Sequence, residues 1–247
     1  MIDCFQNEGI DFIQFQHGKV NAMDLEFCDS VIARIKELEE KHDCRAIILG
    51  SAHKVFSAGI DLKRFLAESP DYIESFMLKL EQLFQTVFCC TKPLVTEISG
   101  AAIAGGCMVA TASDFRVIQP HAKIGILESR LGVPLPMTAI EIVRHVAAPS
   151  AFKEIITVGA TFTGQEAVDH GLADQVADDS KSAAIHRANE LSQIPLNAFR
   201  LTKRQRIEPI MRIVESNRRD FMDQYLEIWK SEETRSAIQT YVQQRLK

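Results

Sequence analysis

Two glycine-marked turns carry the residues best suited to chemistry. The first is Phe56-Ser57-Ala58-Gly59-Ile60-Asp61-Leu62, the second Ser99-Gly100-Ala101-Ala102-Ile103-Ala104-Gly105-Gly106-Cys107. Each follows an apolar run that reads as a buried strand, Ala46–Leu49 before the first and Leu94–Ile98 before the second, and each precedes a helix-like segment. Glycine at a strand-to-helix turn tolerates backbone angles closed to other residues and allows close approach of a second group. It also leaves unpaired N–H groups at the helix start. Two such turns brought together would present two N–H donors to one oxygen, which is the geometry that stabilises a developing oxyanion.

The elements that must position these turns follow from periodicity. Residues 10–15 alternate as a strand, and residues 45–50 form another. From Asp24, a possible cap, to about Lys41 the apolar residues Leu25, Cys28, Val31/Ile32, Ile35 and Leu38 recur at helical spacing. Asp71 to Phe88 repeats that pattern with Tyr72, Phe76, Leu80, Leu83/Phe84 and Val87. Pro93 restarts a strand, 105–112 reads as a short buried helix, and Phe115–Ile118 as a strand. Thr163-Gly164-Gln165-Glu166 fits a capping box, and Gly171 fits the end of that helix. Repeated strand, strand and helix units predict an α/β fold. Beyond Ile194-Pro195 the composition turns helical and charged. Residues 195–247 therefore read as a helical region for oligomerisation or as a lid, with an apolar stripe of Ile207, Ile210, Met211, Val214, Phe221, Tyr225, Ile228 and Trp229, and 1–194 as the core.

The 247 residues carry a net charge of −5, which argues against nucleic acid or an anionic membrane as partner. The basic stretch Arg200, Lys203, Arg204, Arg206 and Arg212 has helical spacing and reads as a solvated or intersubunit face. Six cysteines show no zinc-type spacing and are expected to be reduced, which favours a cytoplasmic setting. No basic-then-apolar leader opens the chain, no stretch is long enough to span a bilayer, and Arg245-Leu246-Lys247 is not the usual peroxisomal signal.

The motifs together resemble the enoyl-CoA hydratase/isomerase, or crotonase, superfamily. They are Lys19-Val20-Asn21-Ala22-Met23, the two glycine turns, Asp114-Phe115-Arg116-Val117, Ile124-Gly125 through Leu131-Gly132, Thr163-Gly164 with Ala167, and Gly171 to Val176. The resemblance implies a spiral of repeated ββα units, a homotrimer or a dimer of trimers, and acyl-CoA thioester substrates, with CoA arriving as part of the substrate and no metal or separate cofactor. It puts the oxyanion donors on the backbone N–H groups of Ile60 and Gly105. Hydratases of the family use two glutamates. Here the first falls on Met108, which cannot transfer a proton, and the second on Glu128. One carboxylate resembles the Δ3-Δ2-enoyl-CoA isomerases, in which a single base moves a proton from C2 to C4; an apolar surround of Leu127, Leu131 and Met108 would raise its pKa. Lys19 and Lys63 align with cations near the nucleotide, Lys54 less well, and Ala58 would offer backbone groups to adenine. Gly59, Asp61, Leu62 and Gly106 complete the implied binding set, with Asp61 bracing the turn. The competing readings are a hydratase with a replaced acid, Glu97 being the candidate, and a non-catalytic binding protein of the same fold. Pro134 and Pro136, where hydratases carry a glycine-rich stretch, are expected to reshape the wall beside Glu128.

Overall fold

The computed structural model describes residues 1–245; Leu246 and Lys247, part of the C-terminal tripeptide named above, lie outside the described residues. A six-stranded sheet forms the first layer. Its strands are β1 (Ile2–Asn7), β2 (Ile10–Phe15), β3 (Ala46–Ser51), β4 (Leu94–Ile98), β6 (Phe115–Ile118) and β9 (Gln175–Val176), in that spatial order, and all neighbours but β1 and β2 run parallel. A smaller layer holds β5 (Ala101–Ile103), β7 (Lys123–Gly125) and β8 (Thr161–Thr163). Single bridges from Met23 to Ile60 and from Ser57 to Ala102 extend it into the two segments that follow β2 and β3. The chain therefore winds strand, second-layer strand, helix, and repeats, which is the spiral of ββα units expected.

Among the described residues the helices are α1 (Leu25–Glu40), α2 (Leu62–Ala67), α3 (Pro70–Phe88), α4 (Gly105–Ala112), α5 (Glu128–Leu131), α6 (Met137–Val146), α7 (Gly164–Asp169), α8 (Ser180–Ser192), α9 (Leu196–Lys230) and α10 (Glu232–Arg245). A π-helical turn spans Glu154–Val158. Caps set several of their starts. Asp24 accepts from the Phe27 N–H, Ser69 from Tyr72, and the Thr163–Glu166 capping box is present. Gly171 follows the C-cap of α7 at φ 79°.

The strand alternation sorts the core into two faces. Ile10, Phe12, Ala46, Ile48, Val95 and Val117 pack under Ala184 and Ala188 of α8. Ile13, Phe15, Ile47, Leu49, Leu94, Ile98 and Ile118 face the helices of the main core. β1, the short second-layer strands, α2, α5 and α8 carry too little periodicity to be read from sequence; α6 is strongly amphipathic but short and follows two prolines. β1, mostly exposed, pairs with β2 through a hairpin at Glu8 and Gly9, both at positive φ, and stacks Phe5 on Phe12.

The C-terminal helices lie on the core of the same chain. Asp114, which accepts from the Leu94 N–H, receives Lys203 Nζ at 2.8 Å and Arg206 at 2.9 Å. Trp229 packs on Phe65 of α2, and Lys230 pairs with Glu74 of α3 at 2.5 Å. Arg204 and Arg212 pair with Glu208, and Arg200 reaches the Thr91 carbonyl, so the basic stretch is spent on local partners. Within the expected apolar stripe, Ile207, Val214, Tyr225 and Trp229 are buried. Phe221 and Ile228 are instead 49% and 44% exposed. Ser231 separates α9 from α10, a break with no glycine or proline to announce it. Among the described residues no helix is long and apolar enough to cross a membrane.

Candidate active site

The first glycine turn is held from beneath by Asn21. Its backbone is left-handed, at φ 48°, and its Nδ2 donates to Ser51 Oγ at 2.8 Å, the Val55 carbonyl at 3.0 Å and the Phe56 carbonyl at 3.1 Å. Ser57 Oγ donates to the Asn21 carbonyl at 2.7 Å and accepts from the Gly59 N–H at 3.1 Å. Asp61 caps α2 by accepting from Lys63 and Arg64 N–H, so it braces the turn as expected. Met23 completes the frame: its N–H donates to the Gly59 carbonyl at 2.7 Å, and its carbonyl accepts from Asp61 N–H at 2.9 Å. A parallel bridge that engages the residues either side of Ile60 turns the N–H of Ile60 itself away from Met23. That N–H donates to no acceptor among the described residues.

The second turn is set by Ala104, a non-glycine residue at φ 54° and ψ −123°. Its N–H is fixed to the Gly125 carbonyl at 2.9 Å, and its carbonyl accepts from Met108 as the first bond of α4. Such a conformation is costly for alanine, of order 1–3 kcal/mol, and it sets the plane of the peptide that carries the Gly105 N–H. Gly105 is the first residue of α4, and its N–H also lacks an acceptor among the described residues. The two turns touch. A methyl on Gly59 would lie 2.8 Å from Ala104 Cβ and 3.1 Å from the Gly105 nitrogen, and one on Gly106 would lie 2.5 Å from the Ser57 carbonyl oxygen. Two free N–H groups therefore stand on adjoining backbone segments that glycine alone permits to approach so closely.

Register brings the start of α5 to the end of the small sheet from which α4 also starts. β5 and β7 pair with Ile103 opposite Gly125, so the helices that follow them, α4 and α5, start side by side. Glu128 opens α5, is 6% exposed, and accepts from the Leu127 N–H at 2.9 Å. Burial pushes its carboxyl up to about 7, offset in part by its own and the Leu127 N–H. Its charge reaches the buried Cys107 thiol on α4, which burial and Glu128 together hold above the ordinary thiol range. Arg130 does not neutralise it but donates to the Val158 carbonyl. Met108 is fully buried on α4. The loop with the two prolines folds back on this helix: Val133 N–H donates to the Glu128 carbonyl at 3.1 Å, Pro134 accepts from Trp229 Nε1 at 3.2 Å, and Pro136 caps α6.

Other expected residues fall at different distances from this centre. Lys19, Lys54, Ala58 and Lys63 are exposed, and the three lysines form no ion pair among the described residues. Leu62 starts α2. Glu97 lies elsewhere. It alternates with Val95 onto the α8 face of the sheet, where its carboxylate accepts from Ser180 and burial raises its pKa. Two residues were undervalued from sequence. Asn21 was visible only as part of a motif, and Tyr225 only as an apolar position, although its hydroxyl lies within electrostatic reach of Glu128.

A sequence profile of the enoyl-CoA hydratase/isomerase family matches residues 6–246. The chain belongs to that family. Among its relatives, the human mitochondrial enoyl-CoA delta isomerase 1 is 30% identical over 200 residues, covering 79% of this chain and 66%, just under two thirds, of the human protein. A probable enoyl-CoA hydratase of Mycobacterium tuberculosis is 32% identical over 168 residues, 68% of this chain and 66% of that protein. The crystal structure of human mitochondrial Δ3-Δ2-enoyl-CoA isomerase superposes with a TM-score of 0.93 at 25% identity, covering 98% of this chain and 97% of that one. The enoyl-CoA hydratase/isomerase fold thus extends over the C-terminal helices as well as the spiral.

Proposed function

We propose that this protein is a Δ3-Δ2-enoyl-CoA isomerase. The observation that carries the reading is the buried carboxyl at the start of α5, Glu128, poised near neutrality, with Met108 where a second acid would stand. The Glu128 carboxylate removes a C2 proton from a 3-enoyl thioester, and the C–H electron pair enters the conjugated dienolate. The thioester oxygen takes the negative charge and accepts from the Ile60 and Gly105 N–H groups, whose stabilisation is worth about 3 kcal/mol each. The protonated Glu128 then returns its proton to C4, giving the 2-enoyl thioester. The CoA portion runs past Ala58, Gly59, Asp61, Leu62 and Gly106, with Lys19 and Lys63 supplying charge to phosphate. No cofactor beyond the substrate's own CoA enters this scheme. A homotrimer, or two paired, and a cytoplasmic setting accompany it; the six free thiols suit a reducing compartment.

A hydratase reading is favoured by the names of the mycobacterial relatives. It requires a second acid, and Glu97 on the α8 face is badly placed for one. Purified protein given a 3-enoyl-CoA and, separately, a 2-enoyl-CoA separates the two. Isomerisation produces conjugated-thioester absorbance without change of mass. Addition of one water to the 2-enoyl substrate refutes the one-base reading.

A further inference from the structure

A closed ring of hydrogen bonds holds the first glycine turn. Met23 brackets Ile60, its N–H on the Gly59 carbonyl and its carbonyl on the Asp61 N–H. The next residue, Asp24, is buried and caps α1 through Oδ1, which accepts from the Phe27 N–H at 2.8 Å. Its other oxygen turns to α2, where Oδ2 accepts from Arg64 Nη1 at 2.8 Å. The backbone N–H of Arg64 donates to Asp61 Oδ1 at 3.0 Å. The ring runs from Met23 to Asp24, Arg64, Asp61 and back to Met23, and Ile60 lies in the span that it closes. Arg64 is itself locked. Glu26 takes Nη1 and Nη2 in a fork at 2.7 and 2.8 Å, and Glu68 accepts from Nε at 3.2 Å. The guanidinium also lies over the Tyr72 ring of α3, 5.1 Å from its centre, and the Tyr72 hydroxyl accepts from the Leu25 N–H at the start of α1. His17 Nε2 lies 2.9 Å from Asp24 Oδ2, while its backbone N–H donates to Asn21 Oδ1, so the ring joins the brace beneath the turn. Burial would raise the Asp24 carboxyl, but the hydrogen bonds from Phe27, His17 and Arg64 hold it below the ordinary range and so keep it charged.

Partly exposed ion pairs add little to global stability. What these contacts fix is geometry. α2 has six residues, begins two positions after Ile60, and is too short to hold its own place. A guanidinium bound in a fork carries orientation as well as charge. We infer that Arg64 is a positioning residue: through Asp24 and Asp61 it sets the aim of the Ile60 N–H at the thioester oxygen. The inference rests on the oxyanion reading of the two turns. Without the guanidinium, α2 is released from the start of α1, and Asp61 and Ile60 shift with it. A misplacement of about 1 Å in such a group can cost about 10²-fold in rate.

The test reads the donor directly. A saturated acyl-CoA labelled with carbon-13 at the thioester carbonyl is bound to the intact protein, and its carbonyl stretch is followed by infrared difference spectroscopy in wild type, Arg64→Met and Asp24→Asn. Hydrogen bonds to the carbonyl lower its frequency, so binding to wild type is expected to shift the band down. At saturation both variants lose part of that shift. With a 3-enoyl-CoA their kcat falls by about 10–10²-fold while KM stays nearly unchanged. Arg64→Lys, which keeps the charge but not the fork, recovers part of both. The double variant is no worse than the poorer single one, because the two substitutions break the same contact. Should Arg64→Met fail to fold, Asp24→Asn, which keeps an oxygen for the Phe27 N–H, reads the same arm. A full wild-type shift in both variants overturns the proposal, as does a raised KM with kcat unchanged. The readings fail separately. A wild-type carbonyl that does not shift on binding sinks the oxyanion hole itself, and with it the role given to Arg64. A shift that depends on Arg64, with no isomerisation, sinks only the reaction assignment.

Discussion

Replacing Glu128 by Gln should stabilise the protein, and by more as the pH rises from about 4.5 through about 7. Gln keeps the shape of the side chain and an oxygen for the Leu127 N–H, and removes the charge. In the folded protein the carboxyl titrates near 7 rather than at its ordinary 4.5, because burial penalises the ionised form. A carboxyl raised in this way contributes its full stability below 4.5 and loses it as pH rises through about 7. The gap corresponds to about 3 kcal/mol once the pH is well above both values. At about pH 5 the unfolded carboxyl has released most of its proton while the folded one keeps it, but the accumulated penalty is still under about 1 kcal/mol. Denaturant unfolding of wild type and Glu128→Gln at about pH 5 and about pH 8.5 should therefore show a stability difference that widens by about 2–3 kcal/mol in favour of the variant. A difference that is flat across this range would mean that Glu128 ionises without cost, and the argument for a base tuned to neutrality would fall with it. The same titration should appear in the wild-type rate, with kcat/KM rising as pH passes through about 7.

Three further substitutions probe the frame around the turns. Gly59→Ala forces a methyl to 2.8 Å from Ala104 Cβ at a φ of 83°, so the two turns must part; turnover should fall by about 10²–10³-fold with a folded protein by circular dichroism. Asn21→Ala strands the Phe56 carbonyl, leaves the Val55 carbonyl to Ser51 alone and puts alanine at φ 48°, and should cost about 2–4 kcal/mol in unfolding free energy. Asp114→Ala leaves the buried Lys203 ammonium unpaired and should cost about 3–5 kcal/mol, with α9 becoming the first segment cut in limited proteolysis.

The sequence was most readable where one physical constraint dominated a position. Long amphipathic stretches such as α1 and α3 had to be helices because their apolar residues recur every three to four positions. The glycine turns were legible because no other residue fits where Gly106 meets the Ser57 carbonyl. β5, β7 and β8 were not, since three residues are too few to show a period and their pairing is settled by contacts distant in sequence. Glu97 misled for a related reason. An acid at the end of a buried strand suggests a site, and only the alternation of β4 against α8 shows which face it takes. Tyr225 could not be singled out in a helix of 35 residues, because what distinguishes it is the carboxyls brought to it by α3 and α5.

The most direct test of the account is a single turnover of a 3-enoyl-CoA carrying deuterium at C2, with wild type and Glu128→Gln in parallel. The account predicts 2-enoyl-CoA with deuterium delivered to C4 by the wild type and no product from the variant. Isomerisation that survives Glu128→Gln at the wild-type rate would contradict it, because the proton would then be moving through a different group.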